Sequence, residues 1–376
     1  MINFIGAARM LGLDLVHCKN TLLPMPAKRK QNKPALNLAL QGGGAHGAYT
    51  WGVLDRLLEE DRYFIEAISG TSAGAVNAVV TAAGLQKGGP EQARLDLHDF
   101  WKAISDAARF SIFKRNPLAK LFGDFSLESS PAFLGFDLLS RVLSPYDFNP
   151  FGLNPLRDLL ADHVDWAAVK QPGAPDLFVS ATDVRSGRVK VFRNKDLKPD
   201  AVLASACLPM LFQAVEIDGG AYWDGGYMGN PSLWPFSYEC GSNDILIVQI
   251  NPVYREEVPR TSREILNRIN EITFNASLLR ELRAMDFVSR LIEEETLKSS
   301  RYNKMLVHMI TSEPISKFGA ASKFNAEWDF LEELRDRGRR AADDWLVEHG
   351  DAVGNYCSVN LRSLFEDDDQ IIQSRC

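Results

Sequence analysis

At 376 residues the chain can bury a large core, as one big domain or two smaller ones. Its apolar share of 45% and charged share of 24% are those of an ordinary globular protein, and a net charge of −7 gives nucleic acid no electrostatic reason to bind. Five dispersed cysteines (Cys18, Cys207, Cys240, Cys357, Cys376) show no close pair and no zinc spacing, which argues against a disulfide framework or structural metal and for a reducing, cytoplasmic setting.

Residues 1–23 are mildly apolar but broken by Arg9, Asp14 and Lys19, with neither a basic leader nor a small-residue cleavage site. No apolar run reaches the ~18 residues of a membrane-spanning helix. Met25-Pro26-Ala27-Lys28 would serve as a natural start, so residues 1–24 read as an addition to the fold and 1–35 as a poorly ordered N-terminal extension. The basic run Lys28-Arg29-Lys30, with Lys33, is most simply a solvated tail; its sharper reading is a peripheral contact with anionic lipid.

Leu36 to Leu40 is a short apolar run ending in glycines, the pattern of a buried strand entering a turn. Ala48 to Glu59 has helical spacing, with Val53, Leu54, Leu57 and Leu58 on one face. A second strand spans Ile65 to Ser69, and a buried helix spans Ala73 to Leu85, ended by Gly84, Gly88 and Gly89. Strand–helix–strand–helix predicts a parallel sheet. Residues 91–160 read as helical and irregular in turn, with Phe110, Phe113, Phe122, Phe125, Phe133 and Phe136 set between polar residues. Core packing is the commoner fate of such residues; a cover for an acyl chain is the sharper reading.

Asp176 to Asp183 and Arg188 to Phe192 read as strands joined at Ser186-Gly187. Phe212 to Ile217 and Tyr222-Trp223 repeat that pattern around Asp218-Gly219-Gly220. Asp244 to Ile250 and Met305 to Ile310 are further apolar strands, and amphipathic helices fill Ser262 to Ser299 and Phe324 to His349. The expected fold is α/β: a parallel-rich central sheet flanked by helices, spanning 36–311, followed by a helical C-terminal extension and acidic tail over 312–376.

Three glycine-rich turns carry the chemistry. In Gly70-Thr71-Ser72-Ala73-Gly74 the G-x-S-x-G spacing puts Ser72 on a tight strand-to-helix turn, its oxygen exposed beside the helix N-terminus. Capping the helix is the bland role for Ser72; a strand before it and an apolar helix after it favour a nucleophile. In Gly42-Gly43-Gly44-Ala45-His46-Gly47, consecutive glycines after a strand let backbone amides converge on one point, as an oxyanion requires. The absence of a following Gly-Lys-Ser/Thr disfavours a nucleotide P-loop. The formal G-x-G-x-x-G of Gly42, Gly44 and Gly47 lacks an acidic ribose partner after the Ile65–Ser69 strand, which disfavours a dinucleotide site.

A serine nucleophile needs a base. A Ser–Asp–His order is open through Asp224 with His308 or His349, but none of the six histidines lies in a glycine-rich turn downstream of Ser72. Asp224 does, followed by Gly225 and Gly226, and a carboxylate within hydrogen-bond reach can itself be the base. Asp218-Gly219-Gly220 repeats the tripeptide, but between two short strands Asp-Gly is the expected hairpin turn.

These turns, in this order, resemble those of the patatin-like phospholipase family: G-G-G-x-R/K-G, G-x-S-x-G and D-G-G/A. Ala204-Ser205-Ala206-Cys207-Leu208-Pro209 and the stretch from Asp224 to Asn230-Pro231 resemble bacterial members, and the likeness spans about Leu36 to Ile310. The resemblance implies a three-layer α/β/α fold and a serine–aspartate dyad without histidine. By motif position it implies Ser72 as nucleophile, Asp224 as base, and Gly42, Gly43 and Gly44 around the oxyanion, with Gly47, Gly70, Gly74, Gly225 and Gly226 shaping the turns. It implies a lipid or acyl-ester substrate (phospholipid or lysophospholipid) and no cofactor or metal. An esterase, thioesterase or storage-polyester depolymerase on the same site, and a non-enzymatic lipid-binding scaffold, are the competing functions. One position departs from the pattern: His46 stands where the family has Arg or Lys.

Overall fold

The computed structural model describes residues 33–109, 142–297, 303–311 and 320–365, with a few single positions between them. Five parallel strands form its spine in the order β3-β2-β1-β7-β8: Asp176–Asp183, Phe64–Gly70, Ala35–Leu40, Asp244–Gln249 and Leu306–Thr311. Antiparallel strands complete one side, with β4 (Val189–Arg193) and β6 (Gly220–Asp224) both pairing β3, and β5 (Val215–Ile217) pairing β6.

The central strands are apolar on both faces because both are covered. Leu36, Leu38 and Leu40 of β1 enter the larger core with α1 (Gly47–Glu60), α2 (Ala73–Ala108) and Trp345, while Ala39 enters a second core with Ile245, Ile247, Phe236, Leu278 and Leu282. Helices α3 (Leu156–His163) and α4 (Pro199–Ser205) cover the first face. Helices α5 (Trp234–Glu239) and α6 (Ser262–Glu293) cover the second. This is the expected three-layer arrangement. Helix α7 (Trp328–His349) lies against α1 so closely that a Cβ on Gly52 would sit 1.9 Å from the Arg335 carbonyl oxygen, and one on Gly338 2.0 Å from that of Tyr49. Phe330, Leu331, Leu334 and Trp345 of α7 therefore belong to the main core.

Several boundaries differ from the sequence reading. Helix α2 breaks at Gly88 and Gly89 (φ 80°), as expected, but Gly84 does not end it. Gly84 lets the second arm, opened by Pro90, fold back: a Cβ there would lie 2.4 Å from Cα of Ala93. β5 omits Phe212 to Ala214, since the Phe212 amide turns back to donate to the Leu208 carbonyl at 3.0 Å. α6 stops at Glu293, just before Glu295 at φ 54°. Phe324 belongs to a separate 3-10 turn, Ala320–Phe324, rather than to α7. Of the phenylalanines proposed as an acyl-chain cover, Phe110, Phe113, Phe122, Phe133 and Phe136 lie outside the described residues, whereas Phe125 packs in the core against Phe330 and Phe318, with ring centroids 4.9 and 5.8 Å away.

Candidate active site

The register on β3 brings two distant turns together. β4 takes one edge of β3 along Phe178–Thr182. β2 lies opposite residues 176–179, and β6 opposite 181–183. Because β4 overlaps both, β2 and β6 must share the other edge. β2 ends with Gly70 facing Val179; β6, running the opposite way, ends with Asp224 facing Ala181. The two chain ends thus meet across two residues of β3, about 7 Å of strand.

Ser72 follows Gly70 and precedes α2. It holds φ 55° and ψ −123°, a conformation that costs a non-glycine residue of order 1–3 kcal/mol and persists because the surroundings impose it. Its amide donates to Ser205 Oγ at 2.9 Å, and Thr71 Oγ1 donates to the Gly229 carbonyl at 2.6 Å. Gly70 and Gly74 clear the turn: a Cβ on Gly74 would lie 2.1 Å from the Leu40 carbonyl oxygen.

Asp224 is buried, 1% exposed. Its amide donates to the Cys207 carbonyl at 2.8 Å and its carbonyl accepts from Thr182 Oγ1 at 2.8 Å. Its carboxylate accepts from the Gly226 amide at 2.7 Å, and the Ser72 side chain lies near enough to lower its pKa. Burial pushes its pKa up to about 7, while the Gly226 amide and the Ser72 side chain pull the other way. Gly225 permits this depth, since a Cβ there would lie 2.1 Å from the Ser180 carbonyl oxygen. The Ala204–Pro209 block supports both halves of the pair, with Ser205 holding the serine turn and Cys207 holding the aspartate.

The first glycine turn closes the site from the end of β1. A Cβ on Gly42 would sit 2.7 Å from Cβ of Ser72, and Gly44 adopts φ 60°. The Gly42 amide is taken, donating to Asn230 Oδ1 at 2.7 Å. The amides of Gly43 and Gly44 meet no acceptor among the described residues. Gly47, where α1 begins, packs on Ala73, where α2 begins. This turn lies at the C-terminal ends of β1 and β7. The chain leaves β1 toward β2 on one side while β7 flanks it on the other, and a crevice forms at such a switch point.

The histidines stand elsewhere. His308, buried in β8, bonds Asp244 Oδ1 at the start of β7 and Ser358 Oγ, each at 3.1 Å. His349 ends α7 on the surface beside Glu348. His46 is 3% exposed, its Nε2 lies 2.7 Å from Ser322 Oγ, and burial with nearby Lys323 pulls its pKa down to about 3. It is neutral at physiological pH. Among the described residues no imidazole bonds Ser72 or Asp224.

Residues that sequence reasoning missed form the support of the glycine turn. Gln41 Oε1 accepts from the amides of Ile250 and Asn251, each at 2.9 Å, and Gln41 Nε2 donates to Asn275 Oδ1 at 3.1 Å. The signal that could have found them is a polar residue placed just past a mainly apolar strand, Gln41 after β1 and Asn251 shortly after β7.

An elbow serine, a buried carboxylate and an amide-lined glycine turn are gathered at one end of a parallel sheet, the parts that acyl transfer needs. A sequence model of patatin-like phospholipases matches residues 38–236, just over half of the chain. The chain belongs to the patatin-like phospholipase family. It is 29% identical over 273 residues to an uncharacterised NTE family protein of Mycobacterium bovis, and equally to one of Mycobacterium tuberculosis; the match takes in 69% of this chain and 64% of each relative. The chain thus spans less than two thirds of those relatives. Among solved structures, VipD from Legionella pneumophila overlaps 81% of this chain and 67% of its own at 14% identity and a TM-score of 0.34. ExoU in complex with SpcU from Pseudomonas aeruginosa overlaps 90% and 68% at 18% identity and a TM-score of 0.29. Overlaps that slight leave the architecture to be read from this chain's own sheet. No helix among the described residues is long and apolar enough to cross a membrane.

Proposed function

We propose that the protein is a serine acyl hydrolase that cleaves lipid acyl esters, phospholipid or lysophospholipid, with Ser72 as nucleophile and Asp224 as general base. The observation that carries this reading is a buried carboxylate, with a pKa near neutrality, placed beside the elbow serine by the register of β2 and β6 on β3. A base poised near the working pH is half ionised there and takes a proton well.

In the first step Asp224 accepts the Ser72 proton as Oγ attacks the ester carbonyl. Negative charge develops on the carbonyl oxygen, and the Gly43 and Gly44 amides receive it, with the N-terminal dipole of α2 aimed at the same place. Gly42 lines this pocket through its closeness to Ser72 rather than as a donor. Collapse expels the alcohol, which takes the proton from Asp224, and leaves an acyl-enzyme. Asp224 then deprotonates water, the hydroxide attacks the acyl carbon, and the proton returns to Ser72 Oγ as the fatty acid leaves. The substrate draws the protein to a membrane as a peripheral contact rather than as a spanning one.

The test compares Ser72→Ala, Asp224→Asn, His308→Ala and His349→Ala on phospholipid, lysophospholipid and short-chain esters, with fluorophosphonate labelling of Ser72 followed by mass spectrometry. Both dyad variants should lose nearly all turnover and both histidine variants should keep it. A histidine variant as inactive as Ser72→Ala would replace the dyad with a triad.

A further inference from the structure

The first glycine turn is clamped by a segment from late in the chain. The 3-10 turn Ala320–Phe324 lies over it at three successive points. Ser322 bonds His46. The Lys323 carbonyl oxygen sits where a Cβ on Gly44 would be 2.5 Å away. The Lys323 ammonium donates to Asn251 Oδ1 at 2.8 Å, and Asn251 Nδ2 donates in turn to the Gly42 carbonyl oxygen at 2.8 Å.

The end of this chain of hydrogen bonds falls on one peptide unit. The Gly42 carbonyl and the Gly43 N–H are two ends of the same planar, conjugated amide. A hydrogen bond accepted at the oxygen draws electron density along that amide and makes its N–H a stronger donor, and a cation at the head of the chain strengthens each bond below it. His46 cannot supply that cation, since it is buried and neutral. Lys323 does so from the opposite side of the turn.

We propose that Lys323 is a positioning residue for the oxyanion site: acting through Asn251, it polarises the Gly42–Gly43 peptide so that the Gly43 amide binds the developing oxyanion more strongly than the neutral substrate carbonyl. This rests on the hydrolase reading above. It gives the late segment a part in the chemistry without contact with substrate. Because the gain arises only when charge develops, it belongs to kcat rather than KM.

The charged groups that face Lys323 are Glu271 and Arg255, which pair with each other at 2.6 Å; Arg268 completes the pair at 3.2 Å from Glu271. Burial pulls the Lys323 pKa below the ordinary lysine range, Arg255 pulls the same way, and Glu271 opposes. As pH rises, Lys323 loses its proton earlier than a free lysine, the relay loses its charge, and kcat falls on the alkaline side.

The experiment measures kcat and KM from pH 6 to pH 10.5 on one uncharged short-chain ester for the wild type, Lys323→Met and Lys323→Arg, with thermal melts of each. Lys323→Met should lose about tenfold in kcat, keep KM within about twofold, and show no alkaline fall. Lys323→Arg should recover most of kcat and move the alkaline fall beyond the range, since guanidinium does not titrate there. A loss confined to KM, or wild-type kcat with an unaltered alkaline limb in Lys323→Met, would overturn the proposal. If Lys323→Met does not fold, the other two proteins decide it: the same alkaline limb in wild type and Lys323→Arg rules the relay out. A wild type that turns over no acyl ester defeats the hydrolase reading itself, which is a separate outcome.

Discussion

The tripeptide Asp-Gly-Gly occurs twice within nine residues, at 218–220 and 224–226, and its two copies do opposite things. Asp218 is exposed at φ 49°, followed by Gly219 at φ 80°, in the two-residue turn of a hairpin whose strands pair Ile217 with Gly220. A Cβ on Gly219 would meet nothing within 4 Å. Asp224 is buried, its glycines are pressed against Ser180 and Phe274, and its carboxylate lies beside Ser72. The local sequence makes both turns. Only the second ends a strand that shares an edge of β3 with the strand leading to Ser72, so what separates a hairpin tip from a candidate base is strand register.

The largest contrast lies in turnover. Asp224→Asn keeps the shape of the site but removes the proposed base, and should cut kcat/KM by about 10³-fold or more, as should Ser72→Ala. In the wild type, activity should rise with pH through about 7 as Asp224 loses its proton, the acid limb of the profile. A steady-state pH profile on a soluble ester reads both. An acid limb that survives in a variant lacking Asp224 would assign it to another group.

The same residue makes a stability prediction with a definite sign. The folded pKa of Asp224 is raised above its unfolded value of 3.8 to about 7, so between those values the folded state binds the proton more tightly. Stability therefore falls as pH rises through this window, by about 4 kcal/mol in all for a shift of about three units. Asn has no such proton to lose. Between pH 5 and pH 8 the difference in unfolding free energy between Asp224→Asn and the wild type should move by about 2–3 kcal/mol in favour of the variant, measured by urea melts at both values. A constant difference would mean that the carboxylate is already ionised in the fold at pH 5. The active site would then carry no cost in stability, contrary to its burial.

Much of this was legible beforehand, and the reasons are physical. β1, β2 and β3, helix α1 and the elbow at Ser72 follow from local signals: apolar runs bounded by glycine, a 3.6-residue period, and a motif whose geometry is set within five residues. Asp218 read as a hairpin because Asp-Gly between short strands is a local instruction. The support of the first turn was not legible. Gln41, Asn251, Asn275 and Lys323 come from four separate elements, and nothing local says that Asn251 donates to Gly42 or that the Lys323 carbonyl faces Gly44. Nor did the sequence tell that Gly84 would be a crossing point rather than a stop, since both need a residue without a side chain.

The glycines of the two turns sharpen the comparison. Gly225→Ala drives a Cβ into the Ser180 carbonyl, a rigid backbone atom, and should destabilise the fold by about 2–3 kcal/mol while displacing Asp224 from Ser72. Gly219→Ala meets no neighbour and bears only the positive φ, a cost of about 1 kcal/mol, with turnover unchanged. Chemical denaturation with a parallel ester assay separates the two. Equal costs would show that backbone conformation rather than packing governs both turns.

The smallest effect is expected at Asp218 itself. Asn tolerates the left-handed conformation at least as well as Asp and is favoured in a two-residue hairpin followed by glycine. Asp218 is exposed and its carboxylate holds nothing that the fold requires, so Asp218→Asn should leave stability within about 0.5 kcal/mol of wild type. It should also leave kcat/KM and the acid limb near pH 7 untouched, because the charge removed lies at the far end of β6 from Asp224. Set beside Asp224→Asn, this is the same chemical change made in the same tripeptide at the other end of the same short strand. A variant at 218 that weakened turnover or moved the acid limb would mean that the hairpin tip reaches the site, and that register on β3 is not what divides the two turns.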